Sequence, residues 1–543
     1  MSNGIYTISK PQNEPVGGYL PGSKEKAALK RELARMAATP REIPLIIGGK
    51  EVRTGNIGTC VMPHNHQHVL GTYHMAGETE TRQAIEAALA AGRQWADTPW
   101  HQRLAVFLKA AELLAKKWRP VLTAATILGQ SKTVMEAEAD AACELIDFFR
   151  FNSFFLRQIL EDQPNNLPAE YNRMEYRPLE GFVLAVTPFN FTAIGGNLAS
   201  SPAMAGNTVV WKPASTSVYS NYLVMQLLQE AGLPDGVINF VPGPGRIVGP
   251  IALDHPRLAG IHFTGSTTVF NQMWGTVGQN IGRYRSYPRI VGETGGKDFA
   301  FVHKSADLDQ LVPALLMGAY GYQGQKCSAT SRAYIPQNLW PEVKKRLVEQ
   351  IATIKMDDPA NFTTYMGAVI DQPAFNSISG YLQYIRDADR AEIIAGGGCD
   401  ARHGFFVEPT LAVTDDPLFK TMQEEIFGPV LTVYVYPDGD LDKAVALCES
   451  TSEYALTGSI FARERAAITR LERAFTNSAG NFYINDRTTG AVVGMQPFGG
   501  ARASGTNEKA GSQMNLMRWL SPRCIKENFN APTDYHLPLM QEK

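Results

Sequence analysis

Four apolar runs in the middle of the chain constrain it most. GFVLAV begins at Gly181, TVVW at Thr208, VINFV at Val237 and AGIHF at Ala259, with helix-compatible segments between them. Short apolar runs alternating with helices are the pattern of βαβ units, whose strands are covered on both faces and so show no polar alternation. The pattern predicts a parallel sheet that takes its ligand beyond the carboxyl ends of the strands. A second α/β region starts near Lys297. It has a strand over 298–303, a helix over 307–322, a loop with Cys327 and a helix over 340–354, and it continues to about residue 480.

The flanking segments read more coarsely. Residues 24–37 have helical composition and stop before Pro40 and Pro44. Short β-rich runs follow over 45–75, with His64, His66 and His68 alternating on one strand face. No carboxylate or cysteine cluster accompanies them, so a solvated strand edge is expected there and no metal. Residues 79–118 are helix-rich, with Leu104, Phe107, Leu108 and Ala111 at helical spacing, and another helix is predicted over about 135–155. Residues 162–173 are rich in Pro and Asn and read as a linker or exposed hairpin. The polar tail after Pro522 is expected to pack on a partner or another domain.

Composition excludes several classes. Lys plus Arg is 51 against 53 Asp plus Glu, which leaves no nucleic-acid footprint. The 6 cysteines contain no CxxC pair, so neither a zinc knuckle nor a disulfide scaffold fits, and the usage suits a reducing compartment. No stretch reaches the ~18 apolar residues of a membrane span. The N-terminal segment has no apolar signal core, so a cytoplasmic location is expected, with a mitochondrial matrix enzyme lacking its leader as the alternative.

Seven short motifs carry chemistry, and each also has an ordinary reading. Cys327 in Tyr322–Ala329 follows Lys326 and two glycines, and a nucleophilic thiol needs nearby positive potential or dipoles. A lone cysteine is more often simple packing. Glu293 in Val291–Lys297 stands among glycines and suits a general base if its pKa is raised, or a turn glutamate otherwise. Asn190 in Thr187–Phe191 offers an amide to an oxyanion where the sheet presents its ligand, or is a turn asparagine. Lys212, at the end of the second strand, suits a ribose or phosphate. Phe263–Phe270 opens a helix that favours pyrophosphate, although G-x-G-x-x-G is absent. Glu424–Pro429 and Gln496–Gly500 complete the set.

In this order, the motifs PFN, WKP, FTGS, E-x-GGK, GQ-x-C, EEIFGP and PFGG resemble the aldehyde dehydrogenase superfamily over nearly the whole chain. The resemblance implies an α/β fold with a Rossmann-like NAD-binding domain (1–161 and 181–296), an α/β catalytic domain (297–485) and a small β oligomerisation flap (162–180 and 521–543). Residues 486–520 would form a substrate-anchoring loop and return segment. It implies Cys327 as nucleophile, Glu293 as hydrolytic base, and Asn190 with the Cys327 backbone N–H as oxyanion hole. It also implies cofactor contacts from Thr187, Pro188, Phe189, Lys212, Ser215, Gly245, Gly265, Ser266, Glu425 and Phe427. Many NAD-specific members carry glutamate where this chain has Ser215, so NAD is expected with some NADP use.

Longer stretches narrow the resemblance. Glu144–Asn152, Pro188–Gly196, Gly324–Ala329, Asn481–Asp486, Thr489–Ala491 and Pro497–Thr506 are similar to the Δ1-pyrroline-5-carboxylate dehydrogenase family. That similarity implies oxidation of L-glutamate γ-semialdehyde to L-glutamate, the second step of proline catabolism. Ser328, Gly490 and Ala491 would anchor the substrate carboxylate, Glu144 its ammonium, and Phe191 and Phe498 its methylenes. Helix-surface, loop and core roles are the ordinary readings of the same residues. The resemblance further implies at least a homodimer and a functional link to a separate proline dehydrogenase. A dehydrogenase for succinate or 2-aminoadipate semialdehyde, a thiol esterase, and a non-enzymatic protein on the same scaffold are the alternatives.

Overall fold

The structure is a computed structural model that describes residues 4–541. All four apolar runs become neighbouring strands: Phe182–Val186, Thr208–Lys212, Ile238–Phe240 and Leu258–Thr264. With Arg289–Glu293 they pair in parallel, and Leu45–Ile47 and Lys50–Val52 extend the sheet antiparallel to 7 strands. Helices Thr192–Met204, Val218–Ala231, Gly245–Asp254 and Thr267–Gln279 connect the strands. Leu184, Val209, Val210 and Ile261 are fully buried, which is why these strands read as continuous apolar runs.

A second 7-stranded sheet carries the Cys327 loop. Its strands run from Ala391–Ala395 at one edge through Val430–Tyr436, Thr330–Pro336 and Asp298–Val302 to Asn481–Ile484. Its pairs are parallel except where Ala391–Ala395 meets Thr410–Thr414. Phe299, Phe301, Tyr334 and Ile460 fill one side of this sheet, and Ala300, Val302, Ala333 and Leu431 the other.

Two expectations need correction. The 162–173 stretch is not a hairpin on itself: Glu170–Pro178 pairs antiparallel with the distant Leu520–Asn528 along its whole length. The histidine face is not a solvated edge, because it is Asn65 and Gln67 on the opposite face that are exposed. His64 is buried against Ser131 Oγ (3.3 Å), while His66 and His68 bond the carbonyls of Ala401 and Ala37. No metal-holding cluster occurs among the described residues. The helix predicted over 135–155 is present without a break but changes type: Val134–Ala137 and Leu145–Glu161 are α-helical, and Glu138–Glu144 between them is a π-helix. Among the described residues, no helix is long and apolar enough to cross a membrane.

Candidate active site

Cys327 lies in the loop between helix Leu308–Tyr320 and strand Thr330–Pro336. Backbone strain shapes this loop. Tyr322 and Gln323 have φ of 51° and 56°, and at Gly324, with φ 65°, a Cβ would stand 2.2 Å from the Gly428 carbonyl. The Gln323 amide holds the loop by donating to the carbonyls of Ser131 (3.0 Å) and Ala368 (2.8 Å). Asn190 Nδ2 donates to the Gln325 carbonyl at 3.0 Å, which brings the end of the first sheet against the cysteine loop. A primary amide has two N–H groups, so one remains for an oxyanion.

Lys326 does not provide the expected positive potential at the thiol. Its Nζ pairs with Glu136 at 2.8 Å, because helix Val134–Ala137 presents a carboxylate to it. Burial, then the carboxyl groups of Glu293, Asp298 and Glu425, hold the Cys327 thiol well above its usual pKa. The thiol is therefore protonated at neutral pH.

Glu293 ends strand Arg289–Glu293, which Gly505 flanks by an antiparallel bridge. Its Oε1 is buried with no hydrogen-bond partner among the described residues. Burial raises its pKa to about 7, and the Lys509 ammonium opposes the rise. A carboxyl poised near neutrality is what a general base at physiological pH needs.

The candidate cofactor residues line the carboxyl ends of the first sheet. Lys212 closes strand Thr208–Lys212, and burial lowers its pKa to about 8. A Cβ at Gly245 would lie 3.9 Å from Lys212 Cε, so the lysine reaches the N-terminus of helix Gly245–Asp254. Ser266 caps helix Thr267–Gln279, and Gly265 N–H donates to the Glu293 carbonyl at 3.2 Å. Thr187 Oγ1 accepts from Trp211 Nε1 at 3.0 Å, and Phe189 packs edge-on against Phe427 with ring centroids 5.8 Å apart. Pro188 lies between them, its carbonyl accepting from Ser217 Oγ at 3.3 Å. Ser215 is exposed at the start of the short turn Ser215–Ser217. Glu425 Oε1 accepts from Gly296 N–H at 2.9 Å, and a Cβ at Gly295 would come within 2.6 Å of Glu425 Oε2. Phe427 holds a left-handed backbone, φ 56°, beside it. A fixed lysine, two helix N-termini and a buried carboxylate suit a ribose–pyrophosphate–ribose chain.

On the other side of Cys327, Ser328 Oγ donates to Thr489 Oγ1 at 2.9 Å. Arg487 Nε donates to the Thr489 carbonyl at 3.1 Å, and Gly490 turns the chain at φ 104°. The backbone N–H groups of Gly490 and Ala491 have no partner among the described residues. Glu144, at the end of the π-helix, is held well above its usual pKa by burial and then by Asp140. The Glu293 carboxyl raises it further. Phe191 and Phe498 are half-buried.

The Aldehyde dehydrogenase family model matches residues 53–525. The chain belongs to this family. A relative from Dictyostelium discoideum, named Delta-1-pyrroline-5-carboxylate dehydrogenase, mitochondrial, is 51% identical over 98% of this chain and 96% of its own length. The crystal structure of the Delta-pyrroline-5-carboxylate dehydrogenase from Mycobacterium tuberculosis bound with NAD is similar over 100% of both chains, with TM-score 0.96 and 50% identity. The 1-pyrroline-5-carboxylate dehydrogenase from Thermus with bound NAD is similar over 96% of this chain and 100% of its own, with TM-score 0.90 and 33% identity.

Within this aldehyde dehydrogenase one buried feature escaped sequence reasoning. Lys132 and Asp140 form a fully buried ion pair at 2.8 Å. Asp140 also accepts from the N–H groups of Thr192 (3.0 Å) and Ala193 (2.8 Å), at the start of helix Thr192–Met204. A carboxylate there complements the helix dipole. The Lys132 ammonium lies 3.9 Å from the Phe191 ring centroid and 4.6 Å from that of Tyr322. The pair thereby fixes Phe191 and the cysteine loop together.

Proposed function

We propose that this enzyme oxidises L-glutamate γ-semialdehyde, the open form of Δ1-pyrroline-5-carboxylate, to L-glutamate with NAD. The observation that carries the reading is the buried, unpartnered Glu293 carboxyl, poised near neutrality and raising the pKa of both Cys327 and Glu144. The known Δ1-pyrroline-5-carboxylate dehydrogenases named above support the substrate.

Cys327 gives up its proton to solvent and adds through sulfur to the aldehyde carbon. The second Asn190 N–H and the Cys327 backbone N–H receive the developing oxyanion. Bound NAD supplies the hydride acceptor, so that loss of hydride from the carbon leaves a thioester on Cys327. The Glu293 carboxylate takes a proton from water as the water oxygen adds to the thioester carbon. The C–S bond then breaks, releasing glutamate and restoring Cys327. The free N–H groups of Gly490 and Ala491, with Ser328, bind the α-carboxylate. Glu144 takes the ammonium, whose charge draws its carboxyl back to the ionised form. Phe191 and Phe498 flank the methylenes. Donors built for a carboxylate are left unpaired by a plain aldehyde, which selects against it.

Lys212 contacts the adenosine ribose, Gly245, Gly265 and Ser266 the pyrophosphate, and Glu425 with Phe427 the nicotinamide ribose. Thr187, Pro188 and Phe189 line the nicotinamide end. The ribbon of Glu170–Pro178 and Leu520–Asn528 is the oligomerisation flap of at least a homodimer, so light scattering should exceed the 59.6 kDa of one chain. The enzyme takes its substrate from a separate proline dehydrogenase. Of the two expected compartments, the name of the mitochondrial Dictyostelium relative supports the matrix.

NADH absorbance with Δ1-pyrroline-5-carboxylate, succinate semialdehyde and propionaldehyde tests the reading, with Cys327→Ala as the blank. We expect the first substrate to exceed the others about tenfold or more in kcat/KM. A preference for either of the others overturns the substrate assignment.

A further inference from the structure

Lys509 is the cation that acts on the Glu293 carboxyl. Its backbone is left-handed, φ 55°, as is that of Asn507 at 61°. Non-glycine residues adopt this conformation only where their surroundings hold them there. The Lys509 ammonium donates to the carbonyls of Gly480 (2.7 Å) and Gly499 (2.9 Å) and to Asn481 Oδ1 (3.3 Å), which occupies all three of its donors. All three acceptors are neutral, so the charge is immobilised without being cancelled.

The segment that carries Lys509 is bonded directly to the strand that carries Glu293. Thr506 N–H donates to the Gly292 carbonyl at 2.9 Å and Thr294 N–H to the Ser504 carbonyl at 3.1 Å. Gly292 N–H donates to Thr506 Oγ1 at 2.9 Å. These bonds join the segment that carries the ammonium to the strand that carries the carboxyl. Glu293 in turn raises the pKa of Glu144 and of the Cys327 thiol, both acidic. Neighbouring Glu508 turns instead to Thr506 and Arg518.

We propose that Lys509 is a positioning residue, whose fixed positive charge, on the segment bonded to the Glu293 strand, keeps enough of this carboxyl ionised at neutral pH to drive hydrolysis of the acyl-enzyme. The inference rests on the reading of Glu293 as the hydrolytic base. Burial alone would push the Glu293 carboxyl higher than it stands, so loss of the cation moves the acidic limb of hydrolysis toward alkaline pH.

The test uses 4-nitrophenyl acetate, which needs no cofactor. Cys327 sulfur adds to the ester carbonyl, 4-nitrophenolate leaves, and water with its proton taken by Glu293 releases acetate. The initial burst reports acylation and the steady state reports hydrolysis. Lys509→Gln removes the charge and keeps a donor for the Gly480 and Gly499 carbonyls; Lys509→Arg keeps the charge. We expect Lys509→Gln to retain a full burst, with its hydrolytic limb shifted up by about one pH unit and turnover at pH 7 down about fivefold. Lys509→Arg should keep the wild-type limb. If Lys509→Gln loses its burst, Lys509→Met carries the same expectation. A full burst with an unshifted limb in the uncharged variant overturns the role of Lys509. Glu293→Gln separates the two readings. A burst without turnover at any pH upholds Glu293 as the base. Persistent turnover overturns that base assignment, and the Lys509 proposal with it.

Discussion

Hydrolysis of the acyl-enzyme should switch on across neutrality. Glu293 is raised from 4.5 to about 7 by burial, so its base form dominates only above that value. A carboxyl with that pKa is about one-tenth ionised at pH 6 and about nine-tenths at pH 8, which predicts a roughly tenfold rise in hydrolytic rate between them. Glu293→Gln removes the base and should slow hydrolysis by about 10²–10⁴-fold at every pH, while the first turnover of NADH survives. The assay is a single turnover: enzyme, substrate and NAD are mixed, and the acyl group remaining on Cys327 is followed by intact mass over time. Release of the reduced cofactor then does not enter the rate. An acidic limb near 4.5 would refute the buried-carboxyl argument, and unchanged hydrolysis in Glu293→Gln would remove Glu293 from the reaction.

Three further outcomes follow from other parts of the site. Lys132→Met leaves Asp140 as a buried charge without its partner and should destabilise the fold by about 3–5 kcal/mol in denaturant unfolding. A loss below about 1 kcal/mol would contradict the pairing. Glu144→Gln should raise KM for glutamate semialdehyde about 10–100-fold while leaving propionaldehyde unaffected, since a charged hydrogen bond is lost only with the amino acid substrate. With Ser215 in place of a glutamate that would repel a 2′-phosphate, kcat/KM with NADP should be measurable, and Ser215→Glu should abolish it. An NADP value at background in the unsubstituted enzyme would reject this.

The fold was legible where burial writes itself into composition. The four apolar runs became Phe182–Val186, Thr208–Lys212, Ile238–Phe240 and Leu258–Thr264 because helices cover them on both faces. Leu45–Ile47 and Lys50–Val52 were visible as β-rich, but their addition to the same sheet is a long-range pairing that local pattern does not encode. The π-helix at Glu138–Glu144 was hidden because seven residues of wider helix still look helical by composition. The candidates Cys327, Glu293 and Asn190 are picked out by their motifs. The electrostatics around them were not: Lys326 is adjacent to Cys327 in sequence yet pairs with Glu136, while Lys509, far along the chain, acts on Glu293. Neighbours in space, not in sequence, set the protonation of a buried group.

The most direct test of a thioester on Cys327 is to trap it. Glu293→Gln with NAD and Δ1-pyrroline-5-carboxylate should release one NADH per site and then stall, and peptide mass analysis of the quenched enzyme should find a γ-glutamyl group on the peptide that contains Cys327. NADH release with that peptide unmodified, or with the adduct on another cysteine, would contradict the proposed nucleophile.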